Sequence, residues 1–456
     1  MVMLRIYSLF VVAALALLVG CRGSKCTCMP ATPNIPCAFR STTADSSPPE
    51  VASAIPVTLA DVSDLPCLLP TPGDTYDSLD RSTCQCNAAT NTVVASAVEL
   101  ERHWASVLIG CESDAVVESL CLTRSLLALQ ESDLRNASAA AALTSFYLLA
   151  GVEAAEDHAE LGMREVEASL ERIDRLKGKG LPIPSEVDRD ALAIKLDELR
   201  DKKLQLRFAR IQLNGQLRRL LGCPLDERRF FWPKVEWNPD LDPLDVESLV
   251  AEGVAERSDL RSLRLVRCKL EKTTLPVARQ VLQVIDGTLG TVSPTPGILG
   301  NLRCRDCKDH EISVRCRQLT MIEADATEVA IGKIKSAAYK VVVQQDRVRL
   351  AKLTVDARRE RLAQLEKIRE TEDISVFEIS VARGRLFEAE SSLVSKVVEL
   401  KVARVGLREV QGLLAIDCGY RAMICGEHCC TGQCGCQHGS ACGRCGGDGC
   451  CDCVGE

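Results

Sequence analysis

The stretch from Ser185 to Gly222, SEVDRDALAIKLDELRDKKLQLRFARIQLNGQLRRLLG, places Leu192, Leu199, Leu206, Leu213 and Leu220 one every seven residues. Seven residues fall just short of two turns of a straight helix, so a helix that keeps this seam buried winds left-handedly about a partner. Ser185 and Asp188 supply start signals, and Gly222 followed by Pro224 supplies the stop. Upstream lies a turn at Gly178, Gly180, Leu181, Pro182 and Pro184. Before it, Thr92 to Leu176 contains no proline and only Gly110, Gly151 and Gly162, with Leu, Val and Ala at helical spacing. The two segments read as the arms of a helical hairpin. Leu196, Leu204, Ile211 and Leu217 lie off the leucine register, so they need either a wider intrachain core or a partner beyond the hairpin.

The plan then repeats. Residues 325 to 369 read as a charged, breaker-poor helix, a polar turn lies around Thr371 to Ser375, and Ile379, Leu386, Leu393, Leu400, Leu407 and Leu414 again fall at sevens. Tyr147 to Gly222 is a separation of 75 residues and Tyr339 to Gly412 one of 73, the mark of an internal duplication. Arms of about 35 to 40 residues are about 50 to 60 Å long at 1.5 Å per residue.

Composition agrees with long helices. Aromatic residues make up 4% of the chain while hydrophobic residues make up 46%, so the apolar content is mostly Ala, Leu and Val. The net charge of −7 and the lack of any basic block interleaved with aromatics speak against a nucleic-acid partner.

The tandem hairpins, the break at Leu221 and Gly222, the connector holding Trp232 and Pro233, and the run from Leu249 to Leu265 together resemble the TolC-like outer-membrane efflux family. Within that run Arg257, Ser258, Asp259 and Leu260 are similar to the family's Arg-Pro-Asp-Leu segment, with Ser258 where proline is usual. The first turn, with Gly180, Leu181, Ser185 and Val187, is similar to the tip that meets a periplasmic adaptor. The resemblance, which covers about Leu100 to Leu414, implies a homotrimer. Its hairpins would close a periplasmic tunnel serving an inner-membrane pump, and each chain would give four strands to a membrane barrel.

The sequence departs from the family in the barrel. Spanning strands need about 9 to 11 alternating residues with aromatic girdles. Two candidates stand in the second half, Arg279 to Thr291 and Glu311 to Thr320, where Ile312, Val314 and Cys316 alternate with polar residues. Neither contains Phe, Tyr or Trp, and residues 66 to 90 of the first half are broken by prolines. The expected fold is therefore mainly α, two tandem antiparallel coiled-coil hairpins with few or degenerate strands in place of the barrel. The alternative to a conducting duct is a non-conducting scaffolding lipoprotein of the outer membrane.

The remaining segments set the compartment. Residues 1–20 read as a signal peptide, and Leu18, Val19, Gly20 and Cys21 resemble a lipobox, so Cys21 is the candidate lipid-attachment site; the alternative is a plain signal with Cys21 in a disulfide. This predicts a lipid anchor on the periplasmic side of the outer membrane. Residues 21–61 read as a Ser/Pro/Cys-rich tether, 62–222 as the first repeat with its tip near 178–187, and 223–320 as connector, helix and short strands. Residues 321–417 read as the second hairpin and 418–456 as a Cys/Gly-rich tail.

No catalytic constellation is evident. None of the five histidines stands beside a nucleophile signature and no phosphate-binding loop follows a strand, so no enzyme and no cofactor is expected. Cys304, Cys307, His310 and Cys316 have a spacing that can close on zinc, although in an oxidising compartment structural disulfides are the stronger reading. The tail packs 11 of the chain's 25 cysteines into its last 39 residues, too little apolar surface for a core, so it needs disulfides or metal to be ordered.

Overall fold

A computed structural model of the chain describes residues 76–180, 188–225, 229–237, 239, 241–292, 307–369, 376–422 and 424. Two long helical hairpins dominate. The first pairs α3, Asp114–Gly178, with α4, Arg189–Leu221, and the second pairs α8, Cys307–Arg369, with α9, Val376–Gln411. Before them run a short strand β1, Tyr76–Leu79, and helices α1, Arg81–Thr90, and α2, Val93–Ile109. Between them lie β2, Phe230–Pro233, and three helices, α5, Val246–Glu256, α6, Ser258–Cys268, and α7, Leu275–Ile285. This is the tandem-hairpin, mainly helical architecture that the leucine registers predict.

The four arms pack side by side in the order α4, α3, α9, α8. The central pair is covered on both sides, which explains why the two leucine seams differ. On α9 the set from Ile379 to Leu407 is buried, because α9 packs against both α8 and α3, and Leu414, just past the end of α9, is buried too. On α4, an edge helix, Leu192, Leu199, Leu206, Leu213 and Leu220 are only half-buried. The most apolar long helix among the described residues is α3, and most of its apolar stretch is likewise enclosed by its neighbours.

Both hairpins stop in the same way. Gly222 and Gly412 adopt left-handed backbone conformations, φ 70° and 79°, which side chains resist and glycine does not. In each case the next residue's N–H reaches back five positions, Cys223 to the Arg218 carbonyl at 2.8 Å and Leu413 to the Arg408 carbonyl at 3.1 Å. At its start, α4 is capped by Asp188, whose carboxylate accepts from the N–H groups of Asp190 and Ala191.

The sheet is small. Strands β1 and β2 pair in parallel, Tyr76 opposite Phe230 and Leu79 opposite Pro233, and Tyr76 stacks edge-on against Trp232. A buried cluster beneath them ties the strands to the first hairpin. Arg210 donates to the Tyr76 hydroxyl at 2.9 Å, lies over the Phe230 ring, and stands 3.7 to 3.8 Å from Glu153 and Glu156.

Several sequence expectations are corrected here. Residues 311–320 are helical, part of α8, which begins at Cys307 rather than at 325. The buried positions there are Arg315 and Leu319, one turn apart, while Val314 faces outward. Arg279 to Thr291 is also not a strand, since α7 runs through Ile285 and buries Val277, Ala278, Val281 and Leu282 on one helical face. Pro276, in the first turn of α7, suits a helix start. In the first half, residues 81–90 form α1, and the run after Thr92 is broken by a turn at Gly110–Ser113 that divides α2 from α3. Among the described residues the only strands are β1 and β2, so no family-type barrel strand is found there.

Candidate functional site

The upper end of the molecule, opposite the hairpin tips, is closed by a second apolar core. Leu122 and Leu129 of α3, Leu263 and Val266 of α6, Val281 and Leu282 of α7 and Leu319 of α8 share it. Arg257 fixes this cap to the second hairpin. Its guanidinium pairs with Asp259, at 3.0 and 2.6 Å, and donates to the Val410 carbonyl at 2.6 Å. Ser258 is the first residue of α6, the helical position where proline fits without loss, so the departure from the family segment leaves the local fold intact.

Arg135 joins the cap to α1 and α2. Its guanidinium bonds Glu131 at 2.9 Å, Glu99 of α2 at 2.9 Å and the Ala89 carbonyl at 2.8 Å, and lies 4.3 Å from the Tyr420 ring centre. Nearby, Cys86 and Cys418 form a disulfide across 332 residues, holding α1 to the start of the tail. The sequence counted these cysteines but offered no signal for their pairing.

At the tip end, Arg189 grips Asp174 through two hydrogen bonds, 3.0 and 3.4 Å, clamping the arms of the first hairpin. The bond to Arg189 holds the Asp174 carboxyl below its ordinary range. Gly180 is exposed with φ 66°. Leu181, Ser185 and Val187 lie outside the described residues, so of the four tip residues only Gly180 is placed.

Above the tip an open groove of about 480 Å³ crosses α3 between α4 and α9. His158, Gly162, Leu199 and Phe387 line it, and Lys195 of α4 reaches Glu388 of α9 at 3.2 Å across it. His158 is 5% exposed, and burial pushes its imidazole below the ordinary histidine range. Its Nδ1 faces the Ala154 carbonyl at 2.7 Å, and a carbonyl only accepts, so the hydrogen sits on Nδ1.

The two outer edges carry the exposed apolar side chains. On α4, Leu204, Phe208 and Ile211 are 65%, 61% and 58% exposed at i, i+4 and i+7 spacing. Of the off-register set, Leu196 and Leu217 are buried within the chain, whereas Leu204 and Ile211 are not. On the far edge, Tyr339, Val343, Leu350 and Leu353 of α8 are equally open. Cross-helix contacts relate the two edges in height. Arg207 pairs with Glu156, Gly151 abuts Val398, and Arg359 pairs with Glu390, so stepping from α4 through α3 and α9 to α8 brings Phe208 level with Leu353 and Ile211 with Leu350, to within about one turn of 5.4 Å.

The cysteine-histidine set is not assembled as a metal centre in the described residues. Cys307 is in a disulfide, His310 is exposed, Cys316 is a half-buried free thiol and Cys304 lies outside the described residues. Cys21 and the tail from Cys425 onward also lie outside.

Against solved structures, the chain is similar to the CmeC outer membrane channel of Campylobacter jejuni, at 8% identity and a TM-score of 0.52, over 73% of this chain and 85% of that one. It is similar to the open MtrE outer membrane channel of Neisseria gonorrhoeae, at 11% identity and a TM-score of 0.52, over 73% and 88%. The outer-membrane channel OprN matches at 15% identity and a TM-score of 0.51, over 81% and 98%. No family model and no curated protein matches the chain. At such identities the likeness is one of fold, and that fold is the TolC-like one expected from the tandem hairpins.

Proposed function

We propose that the protein is the duct component of an efflux or secretion system at the periplasmic face of the outer membrane. Copies stand side by side as a closed homotrimeric ring and conduct cargo passively. The observation that carries this reading is the pair of unpartnered apolar edges at equal height. A ring with cyclic symmetry joins unlike edges without any rise, and edges at unequal height would build an open helix instead. The edge of α4 would meet the edge of α8 of the next copy, hiding Phe208 and Ile211 against Leu350 and Leu353.

The tip around Gly180, Leu181, Ser185 and Val187 would face the periplasmic adaptor and its inner-membrane pump, with the Asp174–Arg189 clamp holding the turn in shape. Cys21 would carry the lipid that keeps the ring at the membrane, and the tail thiols would pair as disulfides, with zinc as the weaker alternative. A second reading, a non-conducting scaffold, draws on one feature. Where the first pair of family strands is expected, α2 passes into α3 through the four residues Gly110–Ser113.

Native mass spectrometry of the purified full chain, followed by conductance in planar bilayers, tests both. A trimer that conducts supports the duct, a trimer that never conducts supports the scaffold, and a monomer at micromolar concentration overturns the ring altogether.

A further inference from the structure

The groove above the tip, about 480 Å³, has the volume of a small-molecule site. It lies across α3, between α4 of the first hairpin and α9 of the second. None of the exposed edge residues Leu204, Phe208, Ile211, Leu350 and Leu353 lines it.

Its floor is one face of α3, where His158, Gly162, Val166 and Ser169 recur at i, i+4, i+8 and i+11. That run covers about 16 Å of helix. Two glycines hollow it. Gly162 gives the floor no side chain, and a Cβ placed on Gly384 of α9 meets no atom within 4 Å. Phe377, Val381 and Phe387 line one wall, and Leu192 and Leu199 line the other.

His158 supplies the polar feature of this apolar trough. It is 5% exposed, and its Nδ1 hydrogen is committed to the Ala154 carbonyl. Nε2 is the nitrogen left to the groove, a hydrogen-bond acceptor that no described residue meets with a donor. A buried acceptor without a donor is costly, and a ligand that brings a donor removes that cost.

Charge narrows the ligand further. Glu165, Asp188 and Glu388 line the groove together with Lys195, Lys202 and Arg385, three acids against three bases, and Lys195 and Glu388 already pair at 3.2 Å. The sum is zero, so the lining favours neither anions nor cations. Lys202 in addition opposes positive charge at His158.

We propose that the groove binds an uncharged aromatic molecule with one hydrogen-bond donor, an aryl amine or a phenol. The rings lie between Phe377 and Phe387 on one side and Leu192 and Leu199 on the other, and the N–H or O–H donates to His158 Nε2. The occupant touches α4 and α9 together and so bridges the two hairpins. The site lies within a single chain and requires neither the ring nor the duct.

The test is a fluorescence titration of the purified full chain with N-phenyl-1-naphthylamine, which is uncharged and carries a single N–H. N-methyl-N-phenyl-1-naphthylamine lacks the donor, and 8-anilinonaphthalene-1-sulfonate keeps the N–H but adds an anion. The expected result is saturable binding of one N-phenyl-1-naphthylamine per chain, about tenfold tighter than its N-methyl analogue, the worth of one hydrogen bond. His158→Phe should bind the two amines equally, Gly384→Leu should fill the groove and abolish binding, and the edge variant Phe208→Asp should bind as the wild type does. The comparison of the two amines on the wild type stands even where a variant fails to fold. No saturable binding, equal affinity of the wild type for the two amines, tighter binding of the sulfonate, or loss of binding in Phe208→Asp each overturns the site and leaves the ring standing.

Discussion

His158 shows how one side chain couples packing to pH. Its Nδ1 hydrogen is committed to the Ala154 carbonyl, and Nε2 is enclosed with no hydrogen-bond partner. Protonation would place a charge inside the α3 groove, with Lys202 nearby opposing it. The folded form therefore takes up this proton only at a lower pH than the unfolded chain, whose reference value is 6.5. Between those two values the unfolded state binds more protons, so stability falls as pH falls below about 6.5 and is fully retained above it. The denaturation midpoint of the wild type is expected to drop on acidification from neutral pH more than that of His158→Gln. Equal pH slopes for the two proteins would contradict it. Arg135 is the opposite case, a buried charge whose partners are all in place. Arg135→Leu leaves Glu131 without its closest counter-charge and is expected to lower unfolding free energy by about 3 to 5 kcal/mol, measured by denaturant titration.

Helices and caps answer to different parts of the sequence. The seven-residue leucine spacing displayed both hairpins directly, because a period near 3.5 has few other physical solutions. What it could not display was which arms lie inside, since that depends on neighbours far along the chain: α9 has two and α4 one. The strand misread at 311–320 has a cause that can be named. At 311–320 the apolar letters Ile312, Val314 and Cys316 alternate, but the side chain that anchors this turn of α8 is Arg315, buried by bonding Glu311 and the Val292 carbonyl. An arginine in a core position is silent in any count of apolar residues. The Cys86–Cys418 bond was equally hidden, because spacing does not specify pairing. The repeated glycine stops, by contrast, were legible and are testable. Gly222→Ala and Gly412→Ala each force an L side chain into a left-handed backbone, and each is expected to cost about 1 to 2 kcal/mol. Similar drops in melting temperature would support equivalent stops, and a neutral substitution at either position would refute the equivalence.

At the scale of the whole molecule, the layer of four arms is stable as a layer only where it is covered. Its two central helices bury their seams, and its two edges do not. Charge placed on one edge is therefore expected to act on assembly and not on folding. Phe208→Asp, at a site 61% exposed, should leave the melting temperature of the isolated chain nearly unchanged while removing the trimer peak from native mass spectra. A variant that lost helicity instead would place Phe208 in the chain's own core. Loss of the disulfide should act in the reverse manner. The Cys86→Ser, Cys418→Ser double variant frees a loop of 332 residues and is expected to lose up to about 5 kcal/mol of unfolding free energy with the edges untouched.

That same bond sets a timetable. Cys86 is synthesised early, with Cys84 two positions away and Cys111 and Cys121 soon after, whereas Cys418 follows only when both hairpins have been made. Between the two syntheses Cys86 stands beside other thiols without its native partner, and any bond it forms in that interval has to be exchanged before it can pair with Cys418. Maturation of this protein should thus be limited by disulfide reshuffling and quickened by an isomerase, while the helices, built from nearby residues, wait ready-formed for the bond that joins the two ends.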